Sequence, residues 1–287
     1  FSTVRIVWRS RAGQPRSADI VRELVPPETV FSTRLADMLV LRVTRFSSET
    51  SVAVAAAIEA AMAARHPPTG LVFDLRGNRG GLLAEAAETA DELLSPGLIA
   101  IERGRDPDAT RIWRSSSGEL ARDVPVIVVV DGRTASAAEV LAAALADRGR
   151  AVVIGSATLG KGLVQAFTPL PGGGELFVTW SRILAPLGWP IQGLGVLPQV
   201  CTSLGEAALE QQLADLTVGQ QPMAAAIART RAARAPIPPA EVVSLRDPCP
   251  AAIGREIDLE AAHYLIDNPT AYAAALLPPF RGSTASR

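Results

Sequence analysis

Histidine and cysteine are scarce, two of each among 287 residues, and that scarcity removes several chemistries. His66 precedes a double proline and His263 falls in an Ala-rich helical stretch. A Ser-His-Asp hydrolase therefore finds no well-placed base. Cys201 and Cys249 form no CxxC pair and are too few for a four-cysteine zinc site. They either bridge one another in an oxidising compartment or remain two buried thiols. Neither sign of charge dominates, with Lys+Arg 28 against Asp+Glu 29 and a net charge of −1. No basic footprint points to nucleic acid. No uninterrupted apolar run reaches the ~20 residues needed to span a bilayer. The opening, Phe1 to Trp8, is already strand-like, with no cationic n-region or cleavage site. The chain reads as a piece of something longer.

What is present is globular in character: 48% hydrophobic and 20% charged residues, over a length that suits one large domain or two modest ones. Thr3 to Arg9 alternates apolar and polar positions as a strand does. A turn at Gly13-Gln14-Pro15 leads to a second strand near Ala18 to Leu24, and Pro26-Pro27 marks a module boundary. Met38 to Val43 reads as a strand and Ser51 to Ala64 as an Ala-rich helix stopped by His66-Pro67-Pro68. Leu71 to Arg76 is a buried strand that runs into Gly77-Asn78-Arg79-Gly80-Gly81, with a helix from about Leu82 to Leu94. The same β-loop-α rhythm recurs around Val126 to Ala146 and argues for an α/β core. Pro171-Gly172-Gly173-Gly174 joins two strands, the second from Glu175 to Leu184. Gly188 to Pro198 is a loop. From Leu204 onward the pattern is helical, with short helices near Leu259 to Ile266 and Pro269 to Leu277.

The densest stretch is Val126 to Gln165. An apolar β-branched run, Val126 to Val130, enters the turn Asp131 to Ala135, and an Ala/Leu/Val helix begins at about Ser136. A serine at such a turn is either an N-cap or a nucleophile whose oxyanion is met by the helix's first free N–H groups. A nucleophilic serine needs a proton acceptor. Lys161, between two glycines after the apolar run Ala151 to Ile154, is the candidate. Its ordinary pKa of ~10.4 keeps it protonated at neutral pH, so the chemistry calls for a desolvated amine. Gln165 accepts a hydrogen bond from that amine without adding charge. Glu139, one turn into the helix, reads as structural. Gly155 to Lys161 copies most of a P-loop, but Gly162 stands where the magnesium-binding hydroxyl belongs and LVQAF follows as a strand, so an NTPase does not fit.

Three segments, DLRGNRGG at 74–81, TASAAE at 134–139 and GSATLGKGLVQ at 155–165, resemble the signatures of the C-terminal (tail-specific) processing peptidases. These are S41-type serine peptidases that use a Ser-Lys pair. The resemblance covers roughly Phe1 to Val200 and includes segment order, the late GLGVLPQV element and the 25-residue gap from serine to lysine. It implies Ser136 as nucleophile, Lys161 as general base and Gln165 as the residue that orients it. The oxyanion hole would be the Ala137 amide and one amide of the Gly80-Gly81 pair. Arg79, Ala138 and Gln199 replace a usual proline, serine and aspartate, and Arg79 bears on the loop that supplies an oxyanion amide.

The resemblance further implies an α/β fold whose mixed sheet forms a ββα spiral (ClpP/crotonase-like) core. Residues 1–25 would be the C-terminal remnant of a PDZ-like domain, 26–200 the peptidase core and 201–287 a helical C-terminal extension. It implies polypeptide substrates, no metal or other cofactor, and a homo-oligomer or an adaptor protein as partner. The setting would be the bacterial periplasm or the cell exterior, which suits a Cys201–Cys249 bridge. The competing class is a binding or scaffolding protein on the same fold, silent or gated by a partner.

Overall fold

The computed structural model describes residues 2–9, 11, 13–23, 27–116 and 119–278. Leu24 and Pro26, which carry the end of a predicted strand and a predicted boundary, lie outside them. The chain opens with β1 (Thr3–Arg9) and β2 (Pro15–Val21), paired antiparallel as a separate two-stranded sheet. β3 (Val30–Leu35) and β4 (Met38–Val43) follow, then α1 (Thr50–Met62), β5 (Gly70–Asp74) and α2 (Leu83–Asp91). β6 (Gly97–Gly104) and β7 (Arg111–Ser115) precede β8 (Val126–Val130), α3 (Ala137–Asp147) and β9 (Ala151–Gly155). β10 (Leu163–Pro169) and β11 (Glu175–Leu184) form a hairpin, and β12 (Val200–Cys201) is short. The chain closes with α4 (Glu206–Thr217), α5 (Ala224–Ala232), α6 (Pro239–Arg246), α7 (Ile257–Asp267) and α8 (Pro269–Ala275).

The central sheet has the order β12-β9-β8-β5-β4-β3, parallel throughout except for β3. Its inner strands β8 and β9 are near-continuous buried apolar runs and β4 and β5 nearly so, because both faces are covered, as parallel sheets require. Leu39, Leu41, Phe73, Val128 and Val153 point to one face and pack with α3. Met38, Val40, Val72, Ile127, Val129 and Ile154 point to the other, against α7 and α8. The two-residue period of the strand thus sorts each run between two cores. α3 is buried all round, every residue from Ala137 to Asp147, and is apolar apart from Glu139 and Asp147.

The second sheet, order β10-β11-β6-β7, stands beside this core. β3, β6 and β7 have no counterpart in the sequence reading. β3 is mostly exposed, and β6 and β7 are partly exposed with charges interleaved. Their apolar pattern is correspondingly weak, and pairing with β4 and β11 is what makes them strands.

Cys201 and Cys249 are joined by a disulfide with Cα atoms 5.8 Å apart and a sequence separation of 48. It fastens the end of the central sheet to the chain that follows α6, beside the buried side chains of Met223 and Ile227. A crosslink of that span stabilises mainly by restricting the unfolded chain. Reduction, or a Cys201→Ser/Cys249→Ser double variant, is expected to lower unfolding free energy by about 2–4 kcal/mol. Denaturant titration with and without reductant checks this, and coincident curves would contradict it.

Candidate active site

The three signature loops leave the carboxyl ends of adjacent parallel strands β5, β8 and β9 and meet there, the usual place for a site in such sheets. Asp131, at the end of β8, is buried and organises two of them. One of its carboxylate oxygens accepts from the amides of Gly77 (2.9 Å), Arg133 (2.9 Å) and Thr134 (3.0 Å). The Thr134 hydroxyl donates to the Leu75 carbonyl at 2.9 Å, and the Ala135 amide donates to the Asn78 carbonyl at 2.9 Å. Asp74 at the end of β5 accepts from Arg76 and pairs with Arg42 at 2.8 Å. Arg76 also reaches Asp258 on α7 at 3.4 Å. The glycine loop is therefore clamped from both sides.

Ser136 sits at the elbow between β8 and α3 with φ 59 and ψ −122, an unusual backbone for a non-glycine residue. Strain of this kind projects the side chain from the turn, the geometry of a nucleophile elbow. Gly80 packs directly beneath it. A Cβ there would lie 2.8 Å from the Ser136 Cβ and 2.9 Å from the Ala137 nitrogen, and its φ of 91 favours glycine. At Gly81 a Cβ would collide with the Phe46 carbonyl.

The choice between the two glycines follows from their donors. The Gly80 amide already donates to Asn78 Oδ1 at 2.8 Å. Among the described residues neither the Gly81 amide nor that of Ala137 has an acceptor in the protein. Gly81 and Ala137 thus carry the unengaged amides of the two loops.

Glu139 joins the serine loop to the lysine loop. It is fully buried. Its Oε2 accepts from the Ser136 amide (2.7 Å) and the Lys161 amide (2.8 Å). Its Oε1 accepts from the Gly160 amide (2.6 Å) and the Thr158 hydroxyl (2.5 Å). Burial pushes this carboxyl above the ordinary glutamate range, while the four donors pull against that shift. The S-x-x-E spacing of Ser136 and Glu139 is a capping-box signal. It marks the helix start, but not the contact with the lysine loop.

Lys161 differs from the desolvated amine that the chemistry asks for: its side chain is exposed. The reason is local. Gly160 and Gly162 face inward on either side of it, where a Cβ would meet Gly193 or Gln192, so Lys161 faces out. Among the described residues no hydrogen bond joins its amine to Ser136. Gln165 lies on exposed β10, opposite Thr179 and next to a bulge at Val164, and makes no hydrogen bond to Lys161. The structure thus brings together Ser136, Ala137, Gly80, Gly81 and the Lys161 backbone, and leaves the two side chains of Lys161 and Gln165 apart from them. Sequence reasoning missed Asp131, Asn78, Thr158 and Gln192 as the residues that position these loops. The D-G-x-T turn was the one available signal, for Asp131.

A strained serine, two free amides and a lysine-bearing loop form an arrangement suited to acyl transfer. Comparison with known proteins agrees. Residues 37–202 match the model of peptidase family S41, and the chain belongs to that family. It is 36% identical over 191 residues to the carboxy-terminal-processing protease of Bartonella bacilliformis, covering 65% of this chain and 44% of that protein. It is 36% identical over 151 residues to the chloroplastic carboxyl-terminal-processing peptidase 1 of Arabidopsis thaliana, covering 52% and 31%. The solved photosystem II D1 C-terminal processing protease superposes with a TM-score of 0.53 at 29% identity, covering 69% of this chain and 54% of that one. The chain spans less than half the length of both curated relatives.

Two outcomes follow from the carboxylates. Glu139→Gln turns one oxygen into a donor that faces two amides (or one amide and a hydroxyl), so about 2–4 kcal/mol of stability should be lost. Thermal and denaturant unfolding measure it, and an unchanged midpoint would refute the bridging role. Asp131 has its carboxyl pulled down: burial raises it, but the amides of Gly77, Gly254 and Arg133 and the Arg133 charge together outweigh burial. Its folded-state pKa is therefore below the unfolded one, and the unfolded chain binds the extra proton. Stability from Asp131 is present above the unfolded value of about 4 and is lost as pH falls through the lower folded value. Unfolding midpoints measured from pH 7 to pH 3 should drop on acidification, and Asp131→Asn should flatten that dependence.

Proposed function

We propose that this chain is the catalytic portion of a serine endopeptidase that cleaves proteins at or near their C-terminal tails. The observation that carries the reading is the strained elbow at Ser136, flanked by the unengaged amides of Ala137 and Gly81. Family membership and the names of the relatives support it. Ser136 Oγ attacks the peptide carbonyl carbon and its proton passes to Lys161 Nζ. The oxyanion lies between the two amides. As the tetrahedral intermediate collapses, Lys161 gives the proton to the departing amine and an acyl-enzyme remains. Water then adds with Lys161 again as base and releases the acid. Gln165 orients the amine once it has turned toward Ser136. No metal or other cofactor is needed.

In this reading residues 26–200 are the peptidase core, a ββα spiral of ClpP/crotonase type, and 201–287 are the helical extension packed on it. Residues 1–25 are the remnant of a PDZ-like domain, which agrees with β1 and β2 pairing only with each other. A periplasmic or secreted bacterial setting agrees with the Cys201–Cys249 disulfide. None of the helices among the described residues is long and apolar enough to cross a membrane. A homo-oligomer or adaptor is the proposed partner.

One observation favours a second reading, a silent or partner-gated scaffold: Lys161 is exposed and unconnected to Ser136. Cleavage of casein by the purified chain, beside Ser136→Ala and Lys161→Ala, separates the two. Loss of at least about a thousandfold in both variants is expected. Activity surviving both substitutions would sink the dyad. A wild type that cleaves only after a partner is added would establish gating.

A further inference from the structure

Four arginines line a cleft that the proposed chemistry leaves unused. The cleft, about 1090 Å³, lies along β10, β11 and β6. Arg103, Arg105, Arg182 and Arg234 line it against one carboxylate, Asp106, which already accepts from the Asp108 amide at 2.9 Å. All four arginines are exposed, and none forms an ion pair with a described residue. Arg234 donates only to main-chain carbonyls. Arg103 and Arg182 are direct cross-strand partners. Like charges in that position repel, so the pairing disfavours the empty protein and is relieved by an anion.

The cleft is continuous with the lysine loop. Leu163, Arg182 and Ala235 also line an adjoining groove of about 520 Å³, whose walls include Ile237 and Val242. Gly193, Val242 and Val243 are shared with a third recess of about 400 Å³ at Leu159. The Leu159 amide donates to the Thr134 carbonyl at 2.9 Å, two residues before Ser136, and Gln192 Oε1 accepts from the Gly162 amide at 2.9 Å. One trough thus follows residues 159–163, apolar along its middle and cationic at its far end. An apolar middle suits a polypeptide better than a nucleic acid, and an extended chain advances about 3.3 Å per residue.

We propose that the arginine cleft is a substrate subsite that selects polypeptides carrying aspartate or glutamate side chains a few residues from the bond cleaved. The assignment rests on the peptidase reading for its link to cleavage, while the binding itself is measurable without turnover. Arginine forks recognise carboxylates bidentately, and four of them exceed what a single terminal carboxylate occupies.

The test uses the full chain carrying Ser136→Ala and fluorescent peptides followed by anisotropy: an acidic peptide, its Asn/Gln counterpart, and the acidic peptide with an amidated C terminus. Both acidic peptides should bind roughly tenfold tighter than the neutral one, less so in high salt. Adding Arg103→Gln and Arg182→Gln should erase that preference while leaving the unfolding midpoint unchanged or higher. Equal binding of acidic and neutral peptides would overturn the subsite. So would a preference untouched by the arginine variants, one lost on amidation, or tighter capture of a single-stranded oligonucleotide. Acid-selective binding alongside a wild type that cleaves no peptide, with or without an added partner, would sink the peptidase reading and leave the acidic-peptide site standing.

Discussion

A single buried carboxylate holds two loops of the candidate site in register. Glu139 receives the amides of Ser136, Gly160 and Lys161 and the hydroxyl of Thr158. An ionised oxygen pair has the capacity for four such donors, and in a buried setting any donor left over would be costly. The spacing between the serine elbow and the lysine loop is therefore fixed by hydrogen bonds to main-chain atoms, independent of what the Lys161 side chain does. Asp131 plays the corresponding part between the serine loop and the glycine loop. Two acidic side chains, neither of them a reacting group, set the frame.

That frame explains how the loops can be ordered while the Lys161 side chain stays apart from them. Gly80 is pressed against Ser136 and Ala137, and Gly81 against Phe46, with no room for a Cβ at either glycine. Lys161 has only its backbone tied down, and its side chain is exposed. Desolvating that amine requires something to cover it, and the trough is where a polypeptide or a partner would lie.

Much of this was legible in the chain alone. The apolar runs Met38 to Val43, Val126 to Val130 and Ala151 to Ile154 read as strands, and the Ala/Leu/Val stretch after Ser136 as a helix, and both are found. The ordered motifs marked the serine, lysine and glycine loops as one site. The weakly patterned strands β3, β6 and β7 were not legible, because pairing and not side-chain periodicity holds them.

Local chemistry, then, is what the sequence determined: which residues sit at turns and which runs are buried. The tertiary structure decided which amides are spoken for: that of Gly80 is engaged by Asn78, while that of Gly81 has no acceptor among the described residues. It also decided that Lys161 faces outward and that Arg103 and Arg182 stand opposite one another. These depend on contacts between segments far apart in the chain, and no local pattern encodes where a side chain goes once its backbone neighbours have filled the space behind it.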